Sequence, residues 1–240
     1  MEKHGGWSNY EIAVKVIENE VYVSVYFRRS VKLRKPGAVM AVGVNFDNVT
    51  LAVFTPSRVM IRLKRFETPL RKILTHRVWI ERVQKRYSRL WRFIRSVRRA
   101  IERHGDRIRN IAWDYAHRIG DRIAEIANEH NSTIVLENLN KLRNNVKKDG
   151  TFNKKLSLWF YRKIQFTIGY EALERGLKIK CINSRKTSSK CPKCGVRLKD
   201  SGRRILQCTR CGFTGDRDRD VIACINLLLR YSRCGVPGVP

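Results

Sequence analysis

The sequence is short of acidic residues and of long apolar runs. Its 240 residues contain 21 Asp and Glu against 51 Lys and Arg, a formal charge of +30. No stretch approaches the ~20 apolar residues of a membrane-spanning helix, and the opening segment MEKHGGWSNYEI lacks the apolar core of a secretion signal. These absences argue against a membrane or secreted protein and predict a cytoplasmic one.

The surplus of positive charge predicts a polyanionic partner. So many basic groups would repel one another strongly unless an anion compensated them. Membrane binding usually needs an apolar anchor or a lipid signal, and neither end of the chain shows one. Nucleic acid is therefore favoured over membrane, the alternative being that the excess Lys and Arg serves only solubility.

The cysteines predict a structural zinc site. Two C-x-x-C pairs stand thirteen residues apart: Cys191, Cys194, Cys208 and Cys211. Four thiolates at this spacing complete a zinc tetrahedron, and Gly195 and Gly212 let the backbone turn back after each pair. A redox-active C-x-x-C is the alternative, but two pairs favour zinc and a reducing compartment. The other three cysteines are interpreted as ordinary buried or tail thiols: Cys181, Cys224 and Cys234.

Hydrophobic periodicity predicts an α/β fold. Alternation indicates a hairpin over residues 12–27 and a meander of strands at 39–45, 49–54 and 59–65. Later elements are predicted in the order strand, helix, strand, helix: residues 132–136, 156–175, 177–182 and 221–230. Strand–helix–strand order after a meander predicts a mixed sheet with helices on its faces. The polar segment 141–155 is expected to be a mobile loop.

Residues 76–130 predict a long, basic helical hairpin. Apolar residues recur at steps of three and four: Ile80, Val83, Tyr87, Leu90, Ile94, Val97 and Ile101. His104-Gly105-Asp106 is expected to end the first helix and begin the second. Seven basic residues of the outer face are predicted to contact phosphates: Arg82, Lys85, Arg86, Arg89, Arg92, Arg95 and Arg99. The alternative for these residues is a solvated helix surface.

Few carboxylates stand where a nuclease could use them. Hydrolysis of a phosphodiester by two metal ions needs several carboxylates converging on Mg²⁺ or Mn²⁺. Glu137 ends an apolar strand, and the acidic segment 216–220 opens the last helix. Both have a plain structural alternative, an exposed strand-end glutamate and aspartates that cap a helix dipole.

Four segments resemble the TnpB/OrfB proteins of insertion sequences, specifically their RuvC-like nuclease half. They are VNFDNVTLAVF (44–54), IVLENLNKL (134–142), LSLWFYRKIQF (156–166), and TSSKCPKCG with CTRCGFTGDRDRDVIACINL (within 187–227). The resemblance spans about residues 10–230 and implies an RNase H-like, RuvC-type fold with an inserted zinc ribbon. It also implies an RNA-guided DNA endonuclease, commonly called a transposase, with DNA and a guide-type RNA as partners and Mg²⁺ or Mn²⁺ at its nuclease site.

The resemblance assigns Glu137 as the second catalytic acid and Asp220 as the third, with Asp218 as the alternative third position. The first acid falls at Gly43, which has no side chain. Asn45 and Asp47 share the strand face of Gly43, but at ~3.3 Å per residue they should lie about 7 and 13 Å further along. Asn45 offers only a neutral oxygen, and Asp47 is expected to be too distant. The chain is therefore predicted to bind nucleic acid and to cleave it poorly.

The resemblance also predicts the domain organisation. Residues 1–35 would be a remnant of an N-terminal wedge-like β-barrel, 36–184 with 213–232 the RuvC-like domain, 185–212 the zinc ribbon, and 233–240 a disordered tail. Two functional alternatives to a nuclease-impaired TnpB-like protein stay open. One is an active Mg²⁺-dependent DNA endonuclease in which Asp47 or another group fills the gap. The other is an RNA-associated zinc-ribbon protein whose sheet is only a scaffold.

Overall fold

A five-stranded mixed sheet forms the centre of the protein. The computed structural model describes residues 10–27, 29–139, 156–183, 185–200, 206–213 and 219–233. The strands, in the spatial order β5-β4-β3-β6-β7, are β5 Met60–Glu67, β4 Asn48–Phe54, β3 Ala38–Val44, β6 Ser132–Asn138 and β7 Ile179–Asn183. The meander β3-β4-β5 is antiparallel, whereas β6 and β7 join β3 in parallel. The predicted strands and mixed sheet are confirmed.

Helices cover both faces of this sheet. On one face, α2 (Arg95–Glu129) and α3 (Tyr161–Glu174) pack against the even-numbered residues of β3, such as Met40 and Val42. On the other face, α4 (Arg219–Arg233) packs against odd-numbered residues, such as Val39 and Ala41. Because β3 is buried on both faces, its sequence AVMAVGV is a continuous apolar run instead of an alternating one. No helix in the described ranges combines the length and apolar character needed to cross a bilayer.

The helical hairpin forms, but its break lies elsewhere than predicted. Helix α1 spans Leu70–Tyr87, a 3₁₀ turn spans Ser88–Arg92, and α2 runs through Gly105 without interruption. The expected break at 104–106 is therefore wrong. Glycine costs only about 1 kcal/mol inside a helix, and burial of the later part of α2 against the sheet offsets that cost. The turn occurs instead at Ser88, whose φ is +46°.

The predicted helix 156–175 begins later than its sequence pattern suggests. A separate helical turn at residues 156–158 precedes α3, and Trp159 and Phe160 interrupt the two. Both aromatic side chains pack against the core, which fixes the chain in a non-helical bend. The predicted end is confirmed, because Gly176 has a φ of +71° and its amide donates to Leu173 O at 2.9 Å.

The first predicted hairpin lies apart from the main sheet. Strands β1 (Tyr10–Ile17) and β2 (Glu20–Phe27) pair only with each other, and residues 11–27 are all exposed. Two further short strands, β8 Lys199–Asp200 and β9 Leu206–Gln207, form a small antiparallel hairpin between the cysteine pairs. The predicted loop 141–155 and residues 234–240 of the predicted tail lie outside the described residues.

Candidate functional site

One row of residues crosses the whole sheet on the face covered by α4. Arg65 on β5 pairs with Thr50 on β4, and Thr50 pairs with Gly43 on β3. The parallel register between β3 and β6 runs to Val42–Leu136, so the next position sets Gly43 beside Glu137. Glu137 in turn pairs with Ile182 on β7. The residue that the TnpB resemblance assigns to the first acid therefore adjoins the residue that it assigns to the second.

A cleft of about 440 Å³ opens above this row. Its polar lining comes from the β3–β4 turn, the end of β6, the turn before the ribbon and the start of α4: Asn45, Asp47, Glu137, Thr187, Ser188, Arg219 and Asp220. Gly43 forms part of the wall. The structure thus brings Glu137 and Asp220 together, as the resemblance implies. Asp218 lies outside the described residues.

Glu137 occupies the end of β6, where the strand leaves the core. The pKa of its carboxyl group is raised to about 7, chiefly by burial; a hydrogen bond from Thr187 and the charge of Arg230 lower this pKa, whereas nearby Asp220 contributes to the rise. Thr187 Oγ1 donates to Glu137 Oε1 at 3.5 Å. Glu137 is therefore a half-buried acid that holds its proton close to neutral pH, not an exposed strand-end glutamate.

Asp220 stands in the first turn of α4 and is 8% exposed. Such a position favours a carboxylate because of the helix dipole. Two side chains also donate to Asp220 Oδ2: Arg65 Nη2 at 3.0 Å and Asn48 Nδ2 at 3.2 Å. The Asp220 carboxylate is thus held from the sheet as well as by its own helix, which a simple cap would not require.

Asp47 lies nearer to the cleft than strand spacing predicts. Asn48 Nδ2 donates both to Asp47 Oδ1 at 2.9 Å and to Asp220 Oδ2, so one amide links the two carboxylates. Extended-strand spacing stops at Val44, because Asn45 N donates to Asn48 O at 2.8 Å and closes the turn. Asp47 therefore lines the same cleft as Glu137 and Asp220, but the ligand atoms of these three acids do not all lie within 4.8 Å of one another, so its exclusion from the site stays a prediction. Asn45 uses its amide on Asn48 Oδ1 at 3.1 Å.

The acidic residues of the cleft do not form a compact cage for divalent ions. Within the described residues, one group of three or more His, Cys, Asp or Glu has its ligand atoms within 4.8 Å of one another, and it is the cysteine group. Gly43 offers no ligand, Glu137 retains a proton near pH 7, and Asp220 is paired with Arg65. Two-metal catalysis needs several free carboxylates around the ions. As they stand, these residues do not fit a pair of Mg²⁺ or Mn²⁺ ions.

The cysteine group has the geometry of a metal centre. The Sγ atoms of Cys191 and Cys211 are 3.5 Å apart and those of Cys194 and Cys208 are 3.4 Å apart, far beyond the ~2.05 Å of a disulfide. The glycine after each pair has a positive φ, +73° at Gly195 and +63° at Gly212. The four cysteines could therefore bind one metal ion such as zinc.

Helix α4 connects this centre to the cleft. Ile222 packs into the small core of the cysteine module with Leu198 and Leu206, while Asp220, two residues earlier, faces the cleft. Asn226 Nδ2 donates to Thr187 O at 2.7 Å and to Lys190 O at 2.8 Å. Asn226 of α4 thus holds the backbone of Thr187, whose side chain contacts Glu137.

The remaining cysteines differ from one another. Cys224 is buried on α4 and donates to Thr50 O at 3.7 Å, directly over the row. Burial raises the pKa of its thiol to about 12, with further contributions from nearby Glu137 and Asp220. Cys181 is exposed, contrary to the predicted buried or tail thiol, and Cys234 lies outside the described residues.

The basic residues predicted to contact phosphate form what we call the basic ridge: Arg82, Lys85, Arg86, Arg89, Arg92, Arg95 and Arg99. They follow α1, the 3₁₀ turn and the start of α2, and all seven are exposed. In the described ranges no ion pair involves any of them. Other arginines of the same helices do pair with acids, such as Arg77 with Glu81 and Arg98 with Glu102.

Three residues of the site escaped the sequence analysis: Arg65, Asn48 and Thr187. Arg65 sits in a strand whose exposed positions are commonly basic, so its type gave no signal. Its position opposite Thr50 follows from the hairpin register, which the short turn 55–58 could have indicated. Asn48 and Thr187 gave no comparable signal, because the contacts that bring them into the site, with Asp220 and Glu137, join residues far apart in sequence.

The chain is similar in sequence to TnpB-like proteins and to Cas12f1 nucleases. Residues 161–227 match the family model described as Cas12f1-like, TNB domain. TnpB-like protein MJ0751 of Methanocaldococcus jannaschii is 28% identical over 229 residues, which cover 95% of this chain and 81% of that protein. The CRISPR-associated endodeoxyribonuclease Cas12f1 of Syntrophomonas palmitatica is 31% identical over 116 residues, 47% of this chain and 22% of that protein.

A solved structure supports the fold. In the cryo-EM structure of a Cas12f1–sgRNA–target DNA complex, the matching region covers 90% of this chain and 55% of that chain, with a TM-score of 0.55 at 18% identity. The predicted RNase H-like, RuvC-type fold class is confirmed, and the chain belongs to the TnpB-like family. It spans about half the length of the solved Cas12f1 chain.

Proposed function

We propose that the protein is a transposon-associated, TnpB-like protein that binds DNA and a guide-type RNA and cleaves DNA weakly or not at all. The proposal rests on family membership, the unpaired basic ridge, and one observation above all. Gly43 stands beside Glu137 in the row, where the family resemblance requires the first catalytic acid. We assign Glu137 and Asp220 as the remaining catalytic acids.

The basic ridge supports the binding part of the proposal. Lys and Arg that contact phosphates release counterions and supply much of the affinity for nucleic acid. The ridge residues have no acidic partner among the described residues, so their charge is available to such a ligand. A merely solvated surface would gain from pairing with the few acids nearby, as Arg77 and Arg98 do.

The cysteine module supports a structural zinc ion. Four thiolates with no open position close the coordination sphere, so a zinc ion there would stabilise the module and not take part in chemistry. Through Ile222 and Asn226 it would also fix the start of α4, which carries Asp220. Metal analysis of the purified protein checks the assignment, with one zinc per chain expected.

The cleavage test compares the parent protein with Gly43→Asp. A Cβ atom at Gly43 would meet only Thr50 O, at 3.9 Å, so the first carbon of a new side chain can be added without displacing the sheet. We expect little or no Mg²⁺- or Mn²⁺-dependent cleavage of single- or double-stranded DNA by the parent, and a gain in Gly43→Asp. Gly43→Asn, which matches the shape without the charge, is the control and should resemble the parent. Efficient cleavage by the parent would overturn the proposed impairment.

The partner is tested separately by sequencing RNA that copurifies with the protein. A transcript adjacent to a transposon end supports a guide-type RNA. Ribosomal RNA alone would contradict it and favour an RNA-associated zinc-ribbon protein.

A second candidate function is an active DNA endonuclease in which Asp47 replaces the first acid. The observation that favours it is the shared amide of Asn48, which holds the Asp47 and Asp220 carboxylates at one cleft. This candidate requires the parent to cleave DNA and Asp47→Asn to abolish cleavage. An inactive parent removes it.

A further inference from the structure

Arg65 lines a pocket next to the cleft, with Asp47 and Asn48, and from there it places a positive charge on Asp220. Its Nη2 donates to Asp220 Oδ2 at 3.0 Å, and its Nε donates to Thr50 Oγ1 at 3.3 Å. The Asp220 side chain is 10% exposed and that of Arg65 38% exposed, so the acid is the more deeply buried partner. The carboxylate of the pair therefore lies in the cleft, and the guanidinium reaches it from the adjoining pocket.

The second donor on the same oxygen strengthens this arrangement. Asn48 Nδ2 lies 3.2 Å from Asp220 Oδ2, and Thr50 Oγ1 donates to Asn48 Oδ1 at 2.9 Å. The Thr50 hydroxyl thus orients both side chains that donate to Asp220: it donates to Asn48 and accepts from Arg65. An oxygen that accepts two hydrogen bonds, one from a guanidinium, is a poor ligand for a divalent ion, because the ion must displace a positive charge that is already paired.

The strand register explains why Arg65 reaches Asp220. Arg65, Thr50 and Gly43 are consecutive positions of the row, and Asp220 lies above them on α4. Because Gly43 has no side chain, no carboxylate stands at this position of the row to compete for the guanidinium. A carboxylate at position 43 would offer Arg65 a second acceptor and would share its charge.

We infer that Arg65, by pairing with Asp220, keeps divalent ions from that carboxylate, a block additional to the missing carboxylate at Gly43. The inference rests on the proposed function, in which the cleft is an impaired nuclease site. It predicts that weak binding of divalent ions has two separable causes. One is the missing carboxylate at Gly43, and the other is the pairing of the Asp220 carboxylate with Arg65.

The test measures Mn²⁺ binding, not cleavage. Zinc-loaded protein is titrated with Mn²⁺, and free Mn²⁺ is followed by its electron paramagnetic resonance signal in the parent, Arg65→Gln, Gly43→Asp and the double variant. We expect Arg65→Gln to tighten Mn²⁺ binding at least about tenfold, since an opposite charge within ~4–6 Å alters the affinity of a carboxylate for a proton by 1–3 log units. The double variant should bind most tightly.

Arg62→Gln is the matched control. Arg62 lies on the same strand and also pairs with a carboxylate, that of Glu129, but on the opposite face of the sheet. The Arg62→Gln variant loses one positive charge, as Arg65→Gln does, and its Mn²⁺ affinity should equal that of the parent. Equal tightening in Arg62→Gln and Arg65→Gln would show a general charge effect and overturn the inference, as would no change in Arg65→Gln.

A second measurement uses the parent protein and therefore does not depend on whether Arg65→Gln folds. In the parent, the guanidinium Nε resonance of Arg65, assigned by its loss in Arg65→Lys, should not move during a Mg²⁺ titration into the millimolar range. A specific shift at lower Mg²⁺ would mean that the ion reaches Asp220 despite Arg65. A different result would contradict the proposed function: efficient DNA cleavage by the parent protein, whatever its affinity for Mn²⁺.

Discussion

At the scale of single residues, the cleft shows how tertiary surroundings change one carboxyl group. Glu137 is an ordinary glutamate at the end of an apolar strand, and burial, with a smaller contribution from nearby Asp220, raises its pKa to about 7. Asp220, of the same chemical type, is instead paired with Arg65. The two acids of the site therefore differ in their surroundings: Glu137 is largely buried, and Asp220 is paired with a guanidinium.

The raised pKa of Glu137 predicts a pH dependence of stability. In the folded protein the carboxyl binds its proton more tightly than in the unfolded chain, whose ordinary pKa is 4.5. Its favourable contribution is therefore fully present below about pH 4.5 and is lost as the pH rises through about 7. Glu137→Gln should stabilise the fold relative to the parent by up to about 3 kcal/mol at pH 8, with the gain shrinking towards pH 4.

Urea unfolding followed by circular dichroism across this pH range checks that prediction. Glu125→Gln, an exposed glutamate of α2 in an ion pair with Arg122, is the control and should show no pH-dependent gain. A Glu137→Gln difference that stays constant with pH would contradict the assigned cause.

At the scale of elements, the apolar periodicity of the α1–α2 hairpin predicts the two helices, whereas tertiary packing decides where the chain turns between them. The seam of apolar residues predicted two packed helices, and two packed helices are present: His104 on α2 stacks on Trp79 of α1 with ring centroids 3.8 Å apart. The predicted position of the turn was wrong. Leu90 and Ile94 continue the heptad spacing of apolar residues, yet they lie exposed at the tip of the hairpin. Periodicity alone does not say which apolar residues find a partner.

Gly105→Ala tests the continuity of α2. A Cβ there would meet nothing within 4 Å, so alanine should stabilise the protein by about 0.5–1 kcal/mol, as in a helix interior. Had Gly105 been a left-handed cap, the same change would destabilise it. The free energy of urea unfolding gives the sign directly.

Gly120→Ala in the same helix is the matched control for that measurement. Its Cβ would stand 2.8 Å from the side chain of Thr167 and 2.9 Å from its carbonyl carbon, where α2 and α3 approach closely. Overpacking of this kind should cost about 1–3 kcal/mol. Opposite signs for the two glycines are the expected outcome.

At the scale of the whole molecule, the +30 charge is distributed unevenly with respect to acids. Some arginines of α1 and α2 are neutralised by neighbours three or four residues away, whereas the ridge residues are not. Net charge alone predicted a polyanionic partner, and the pairing pattern now indicates which part of the surface should meet it.

This distribution predicts a difference in salt dependence. The test variant changes four ridge residues to Ala: Arg82, Arg86, Arg89 and Arg92. The slope of log affinity against log salt concentration should become shallower by about 0.9 for each phosphate of duplex DNA that loses its basic contact. The control changes four paired arginines and removes the same number of charges: Arg77, Arg98, Arg118 and Arg122. Fluorescence anisotropy over a range of salt concentrations measures both slopes. Equal slopes for the two variants would show that the ridge is an ordinary solvated surface.

The sequence by itself determined the strands, the mixed sheet and the cysteine module, because alternation, turn residues and ligand spacing are local properties of the chain. It also marked Glu137, Asp220 and Gly43 through their motifs. Only the tertiary structure decided that Arg65 and Asn48 hold Asp220, that Asp47 turns back to the cleft and that α2 runs through Gly105. Those outcomes depend on strand register and on burial between residues distant in sequence, and no local pattern encodes either.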